Sequence, residues 1–248
     1  MRATGEVGRA ARGALEIGAI YRLLSQGVHP PDPERRSSLV RDLVRIESNS
    51  QSEQGGLFPK IIEYLIVLRE SLEETPKDEL VESWTRLFGN TIQGESPPYE
   101  GQYGDTEVFR QWGELAGISG FYHAFGLEVS SEVRERADHL SVEFEFLHYL
   151  AYREANALER HGSDKAKIYR DARGKLLVAH TLLWVPEFTR RMERIVSSGF
   201  YAHLARLTRR FLEEEGKRLG LELNEGDLPI RADEPLSEVS CSTEGGPP

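Results

Sequence analysis

Apolar residues recur at three- and four-residue intervals along nearly the whole chain, and no stretch alternates persuasively as a half-buried strand would. This spacing predicts an all-α fold. Leu15, Ile20, Leu23 and Leu24 mark a first helix, closed by Gly27 and Pro30-Pro31. A second runs from about Glu34 to Glu47, and Gly55-Gly56 breaks the chain after it. Ile61, Ile62, Leu65, Leu68 and Leu72 form a third amphipathic stripe. Thr75 and Pro76 read as the N-cap and first residue of a fourth helix, which carries Leu80, Val81, Trp84, Leu87 and Phe88 and stops at Gly89.

Beyond a proline-rich interruption, Asp105 reads as the cap of a helix bearing Val108, Phe109, Trp112, Leu115 and Ala116. Phe121, Tyr122 and Phe125 continue its apolar surface past Gly117 and Gly120. The most apolar helix runs from His139 to about Leu158. Leu140, Phe144, Leu147 and Ala151 form its main stripe and Val142, Phe146 and Leu150 flank it, which assigns it to the centre of a bundle. His161-Gly162-Ser163 separates it from a helix ending near Leu183, Pro186 opens or kinks another, and Ser198 caps a last helix reaching Leu219. The organisation expected is a flexible N-terminus over residues 1–12, one helical domain over 13–222 and a disordered acidic tail over 223–248.

Composition narrows the class. With 248 residues, 39% hydrophobic and 29% charged, the chain is long enough for one well-cored soluble domain. No apolar run is long enough to span a bilayer, and Met1-Arg2-Ala3-Thr4-Gly5-Glu6 leads into no secretory apolar segment, so a cytoplasmic location is expected. The single cysteine, Cys241, excludes an intramolecular disulfide and a cysteine metal cluster. A net charge of −10 argues against a nucleic-acid partner. From Glu222 onward seven acidic residues face Arg231 alone, so −6 of that charge lies at the C-terminal end, Glu222 included.

The candidate chemistry centres on two places. Ser96-Pro97-Pro98-Tyr99-Glu100-Gly101-Gln102-Tyr103 is a stiff loop, because two prolines fix two φ angles and remove two donors. Such a loop costs little entropy to order around a partner, although its tyrosines could equally plug a core. Asp138 stands where a carboxylate caps a helix, and His139 and Glu143 share a face with Phe146 one turn further on. Glu145 and His148 have the spacing of a di-iron ligand pair, but no second Glu-x-x-His accompanies them. With no phosphate loop, Gly-x-Ser-x-Gly or zinc-spaced set, no enzymatic activity is expected. The alternatives are a helical metalloenzyme built on Glu145 and His148, or a general helical interaction module.

The Pro-Pro-Tyr-Glu-Gly loop, the Asp138-His139-Leu140 helix start and His180-x-x-x-Trp184-Val185-Pro186-x-Phe188 resemble, in order, motifs of the TorD/DmsD/NarJ chaperones. The resemblance runs from about Leu57 to Leu219. Tyr99 in the loop and the Glu143-Phe144-Glu145-Phe146 run look most like chaperones serving type II enzymes of the dimethyl sulfoxide reductase family. It implies an all-α bundle that assists maturation of a molybdenum oxidoreductase, binding the apo catalytic subunit through its twin-arginine signal peptide and delaying export. It also implies no permanently bound cofactor, with at most transient contact with molybdopterin guanine dinucleotide. The chain would be a monomer or a domain-swapped dimer. The residues implied for client binding are Pro97, Pro98, Tyr99, Asp138 and His139, with Phe88 as an aromatic lead-in. Two guanidinium groups followed by an apolar stretch require carboxylates and aromatic walls. Glu100 and Glu143 suit the first need, and Tyr99, Tyr103 and Phe88 the second.

Overall fold

The computed structural model describes residues 2–50, 58–89, 94–104, 108–130 and 135–231, and among these the fold is all-helical. Its helices are α1 (Arg2–Val28), α2 (Pro33–Ser50), α3 (Pro59–Glu74), α4 (Lys77–Phe88), α5 (Val108–Ala124), α6 (Leu140–Arg160), α7 (Ser163–Leu176), α8 (Leu182–Ile195) and α9 (Phe200–Leu219). A single π-helical turn, Leu177–Thr181, joins α7 to α8, and a 3₁₀ turn covers Glu100–Gln102.

The expected central helix is central. In α6, Leu140, Phe144, Leu147, Leu150 and Ala151 are all fully buried, packed against α1 along one side and α7 along another. The α1–α6 approach depends on Gly18, where a Cβ would lie 3.3 Å from His148 Nδ1 and 3.4 Å from the Ala151 methyl. The buried stripe of α1 is Ala11, Ala14, Ile17, Ile20, Tyr21 and Leu24, whereas Leu15 points outward at 43% exposure. The helix therefore starts well before residue 13, and the segment read as a flexible N-terminus carries a core residue in Ala11. Helices α3, α4 and α8 all pack on α9, and Phe88 of α4, Trp184 and Phe188 of α8 and Tyr201 of α9 form one aromatic cluster.

Several local readings shift by a residue or more. Pro76, with φ −58° and ψ 149°, occupies the N-cap position of α4, and the Thr75 hydroxyl instead donates back to Ser71 O at 2.6 Å, closing α3. Gly199, at φ +82°, precedes α9 in place of Ser198, because the chain must turn left-handed there. The end of α9 is a Schellman turn, with Gly220 at φ +70° and Leu221 N–H bonded to Gly216 O at 2.8 Å. Helix α5 passes through Gly117 and Gly120 unbroken. Gly55-Gly56, Asp105 and the side chains of Val108, Phe109 and Trp112 lie outside the described residues.

Pro186 neither starts a helix nor ends one; it sits inside α8, just after the π turn. Lacking an N–H, it leaves the carbonyl of Leu182 without its helical donor. Asn224 N–H fills that vacancy at 3.1 Å, and its side-chain amide donates to Leu183 O at 2.9 Å. Residues 223–231, expected to be tail, are consequently docked, with Leu223, Leu228 and Ile230 partly buried against the core. The domain extends to at least Arg231, and residues 232–248 lie outside the described residues.

The core also holds charge. Arg173 of α7 is fully buried between Glu154 of α6, 2.7 Å from its NH1, and Glu215 of α9, 2.9 Å from its Nε. The second contact is too poorly aligned for a hydrogen bond and is electrostatic. Arg170 and Arg218 complete the cluster from the rim, which ties three helices together.

Candidate functional site

The Pro-Pro loop is stitched to the head of α6. Pro98 O accepts the N–H of Leu140, one of the donors that a helix start leaves unsatisfied, at 2.9 Å. Glu100 N–H donates to Asp138 O at 3.0 Å, so Tyr99 and His139 face each other in a one-residue antiparallel bridge. Inside the loop, Tyr103 OH donates to Pro97 O at 3.0 Å and Ser96 N–H to Leu87 O at 2.8 Å. Gly94 lies so close to the end of α4 that a Cβ would come within 2.4 Å of the Phe88 carbonyl carbon. Pro97, Pro98, Tyr99, Glu100, Asp138 and His139 thus lie together, which spacing along the chain left open.

Their roles differ from the expectation. The cap of α6 is His139, whose Nδ1 accepts from Ser141 N–H at 3.1 Å and lies 2.7 Å from the Ser141 hydroxyl. Burial holds this imidazole down at about 4, with Glu135 pulling weakly upward and His29 downward. Asp138 does not cap α6. Its carboxylate takes the Gly101 N–H at 3.1 Å and a bidentate pair from Arg136 at 2.9 and 2.7 Å, so it fastens the loop to the helix head.

Glu100 and Glu143 are not surface carboxylates. Glu100 is buried and meets His180 Nδ1 at 2.8 Å, the π turn having swung that histidine toward the loop. Glu143, with no exposed surface, accepts from Thr181 Oγ1 at 2.7 Å and Trp184 Nε1 at 3.1 Å. Burial first, then the charge of Glu100, push its carboxyl well above the usual range, against the two hydrogen bonds and His180. Residues His139 and Glu143 therefore do not share an accessible face. Tyr103 packs on Trp184 and Phe188, and Phe88 stacks on Phe188 at 6.0 Å, so both are core rather than groove wall. Trp184, Phe188 and His180 are buried.

What remains at the surface is a small mixed patch. Tyr99 is half-buried, with its OH 2.7 Å from Glu135 Oε2, its ring edge-on to His139 at 4.8 Å, and the Arg136 guanidinium 5.4 Å above its face. Side-chain exposures of 27% for Glu135 and 37% for Arg136 leave both reachable. His29, from the end of α1, stacks on His139 at 6.2 Å. Neither Glu135 nor His29 was legible as a site residue, because nothing in spacing or motif marks them; the only cue was proximity of Glu135-Arg136 to the helix start. The Glu145–His148 pair faces α1 instead, with His148 Nδ1 2.8 Å from Gly18 O and Glu145 taking the Ser25 hydroxyl at 3.5 Å. Among the described residues no three metal-ligating side chains cluster, and no helix is long and apolar enough to cross a membrane.

The architecture is a helical bundle with a loop fastened to the head of its central helix. A family model described as the nitrate reductase delta subunit matches residues 52–190, more than half of the chain, and the chain belongs to that family. The resemblance to the TorD-type redox enzyme maturation proteins accordingly holds. The chain is 27% identical over 219 residues to the perchlorate reductase assembly chaperone protein of Dechloromonas aromatica, covering 85% of this chain and 93% of that one. It is 37% identical over 122 residues to the selenate reductase assembly chaperone protein of Thauera selenatis, covering 49% and 60%. It is 28% identical over 142 residues to the chaperone protein TorD of Vibrio cholerae serotype O1, covering 55% and 60%.

Proposed function

We propose that this protein is a non-enzymatic assembly chaperone for the catalytic subunit of a molybdenum oxidoreductase of the dimethyl sulfoxide reductase family. Family membership supports the chaperone role, and relatives named for perchlorate and selenate reductase assembly favour a type II client. In this reading the chaperone meets its client in the cytoplasm, binds the twin-arginine leader of the apo-subunit, and delays export until the molybdenum cofactor is in place. The cofactor is the client's cargo.

The observation that carries the reading is the half-exposed Tyr99 flanked by Glu135 and Arg136 on a loop that the α6 head already holds rigid. A preorganised aromatic face beside a reachable carboxylate receives a guanidinium without ordering cost. Glu135 thereby replaces the buried Glu100 and Glu143 as the acceptor. Titration of a synthetic twin-arginine leader from the cognate client tests this. Binding near micromolar is expected, about −8 kcal/mol. Salt weakens it, and Arg-to-Lys exchange in the leader weakens it further because lysine lacks the fork. Tyr99→Ala and Glu135→Gln should each lower affinity roughly tenfold with the helical signal intact, as expected for a partner-facing aromatic or charge. Wild-type affinity in both variants defeats the site assignment, and no binding by the wild type defeats leader recognition.

A further inference from the structure

The chain after α9 returns across the bundle as an extended strap and ends its described course on the Pro-Pro loop. Asn224 anchors it to α8, and Arg190 grips Gly226 O at 2.7 Å. At the loop, Gly104 N–H donates to Pro229 O and Arg231 N–H to Gln102 O, both at 2.9 Å, an antiparallel bridge centred on Tyr103 and Ile230. The Arg231 guanidinium forks over two loop carbonyls, with NH1 2.8 Å from Gly101 O and Nε 3.1 Å from Gly104 O. Leu228 and Ile230 lay apolar side chains on the core beside it.

Backbone pairing along an exposed edge, with side chains in flanking pockets, is how proteins bind extended peptides. Here the peptide is the protein's own. Its hold on the loop includes one bridge, one forked arginine and two partly buried aliphatic side chains, in a segment outside any helix. Such a segment can open locally without unfolding the bundle. The loop therefore has two faces. Tyr99 looks toward the α6 head, while the carbonyls of Gly101, Gln102 and Gly104 are capped by the strap.

We propose that Leu228–Arg231 is an internal ligand of the Pro-Pro loop, and that an extended client segment carrying an aliphatic residue followed by arginine exchanges with it. The exchange is a property of this chain alone; only the identity of the displacing segment rests on the proposed function. The groove selects an extended backbone that pairs with Gln102 and Gly104. It also selects an arginine over a lysine, because a single ammonium does not reproduce a fork onto two separated carbonyls. While the strap is docked, apparent affinity for any competitor falls in proportion to the fraction of open groove.

The test is a fluorescent octapeptide with the sequence of residues 224–231, titrated into the full-length wild type, Arg231→Ala and Arg231→Lys. Weakening the internal competitor should make Arg231→Ala bind the peptide about tenfold or more tightly than the wild type, with Arg231→Lys between them. The same peptide with its own arginine replaced by alanine should not bind. Equal affinities across the three proteins, or no binding by an Arg231→Ala variant of normal circular dichroism, overturns the proposal. Should that variant lose its fold, hydrogen exchange on the wild type decides. Excess peptide is expected to speed exchange of the Arg231 amide while the Gly104 amide stays protected by the incoming strand, and unchanged protection of Arg231 refutes exchange. A client leader that binds neither protein, while the octapeptide behaves as expected, counts against the proposed function alone. A leader that binds wild type and Arg231→Ala equally well counts against its use of this groove.

Discussion

Truncating Glu143 to alanine separates a core role from a binding role. The side chain has no exposed surface and accepts hydrogen bonds from Thr181 and Trp184 on the neighbouring π turn and α8. Alanine leaves a hydroxyl and an indole N–H buried without acceptors, each costing about 1–3 kcal/mol, and opens a cavity beside them. The net loss expected is about 3–5 kcal/mol, a large part of a stability of order 5–15 kcal/mol. Glu143→Gln keeps the shape and one acceptor and should cost about 1 kcal/mol near neutral pH. The two variants also differ in pH dependence. Because burial raises the folded-state pKa of Glu143, the folded protein holds a proton that the unfolded chain releases above the ordinary carboxylate range. That contribution is present at low pH and is lost as pH rises toward the folded value, so the wild type declines relative to Glu143→Gln as pH rises above the ordinary carboxylate range. Urea unfolding followed by circular dichroism at several pH values measures both effects. An alanine variant within 1 kcal/mol of wild type, or a wild-type-to-Gln difference that is flat with pH, refutes the buried-carboxyl account.

Ending the chain after Leu223 removes the donors to Leu182 O, Gln102 O, Gly101 O and Gly104 O, and should cost about 2–4 kcal/mol at about 1 kcal/mol per bond; an unchanged melting temperature means the strap adds nothing. His139, held at about 4 in the folded state, is protonated first in the unfolded chain, so stability falls by up to about 3 kcal/mol as pH drops from 6.5 to 4. His139→Asn keeps a capping acceptor and should flatten that acid limb in urea titrations, and an unaltered limb assigns the pH response elsewhere. Arg173→Ala strands Glu154 and Glu215 in the core and should cost about 3–5 kcal/mol; a loss below 1 kcal/mol in chemical denaturation means the rim arginines suffice.

The helices were legible because burial follows the 3.6-residue period: in α3, Ile61, Leu65, Leu68 and Leu72 are the buried residues, as their spacing implies. The loop and the α6 head were legible because proline and glycine restrict the backbone locally. Residue roles inside the site were not: Glu143 falls within the apolar arc of α6, yet its carboxylate read as an acceptor for a partner's guanidinium, whereas Thr181 of a π turn and Trp184 of α8, far along the chain, supply its partners. The cap assignment moved from Asp138 to His139 because two carboxylate oxygens were claimed by Arg136 and the loop amide. The strap was hidden by its composition. Acidic, glycine-bearing sequence reads as disordered, and the anchors that dock it, among them the carbonyl freed by Pro186 and the loop carbonyls under Arg231, lie far away in sequence.

The role proposed for the face around Tyr99 is to hold the leader of a molybdenum-enzyme catalytic subunit. Its most direct measurement is site-specific photocrosslinking in cells co-expressing that subunit, with a photoreactive phenylalanine at Tyr99 and, as a control, at Tyr152, an exposed residue on the outer face of α6. The account predicts a crosslink from position 99 that maps by mass spectrometry to the subunit's N-terminal leader and disappears when the leader's arginines are changed to alanine. A crosslink from position 152 with none from position 99 would contradict it.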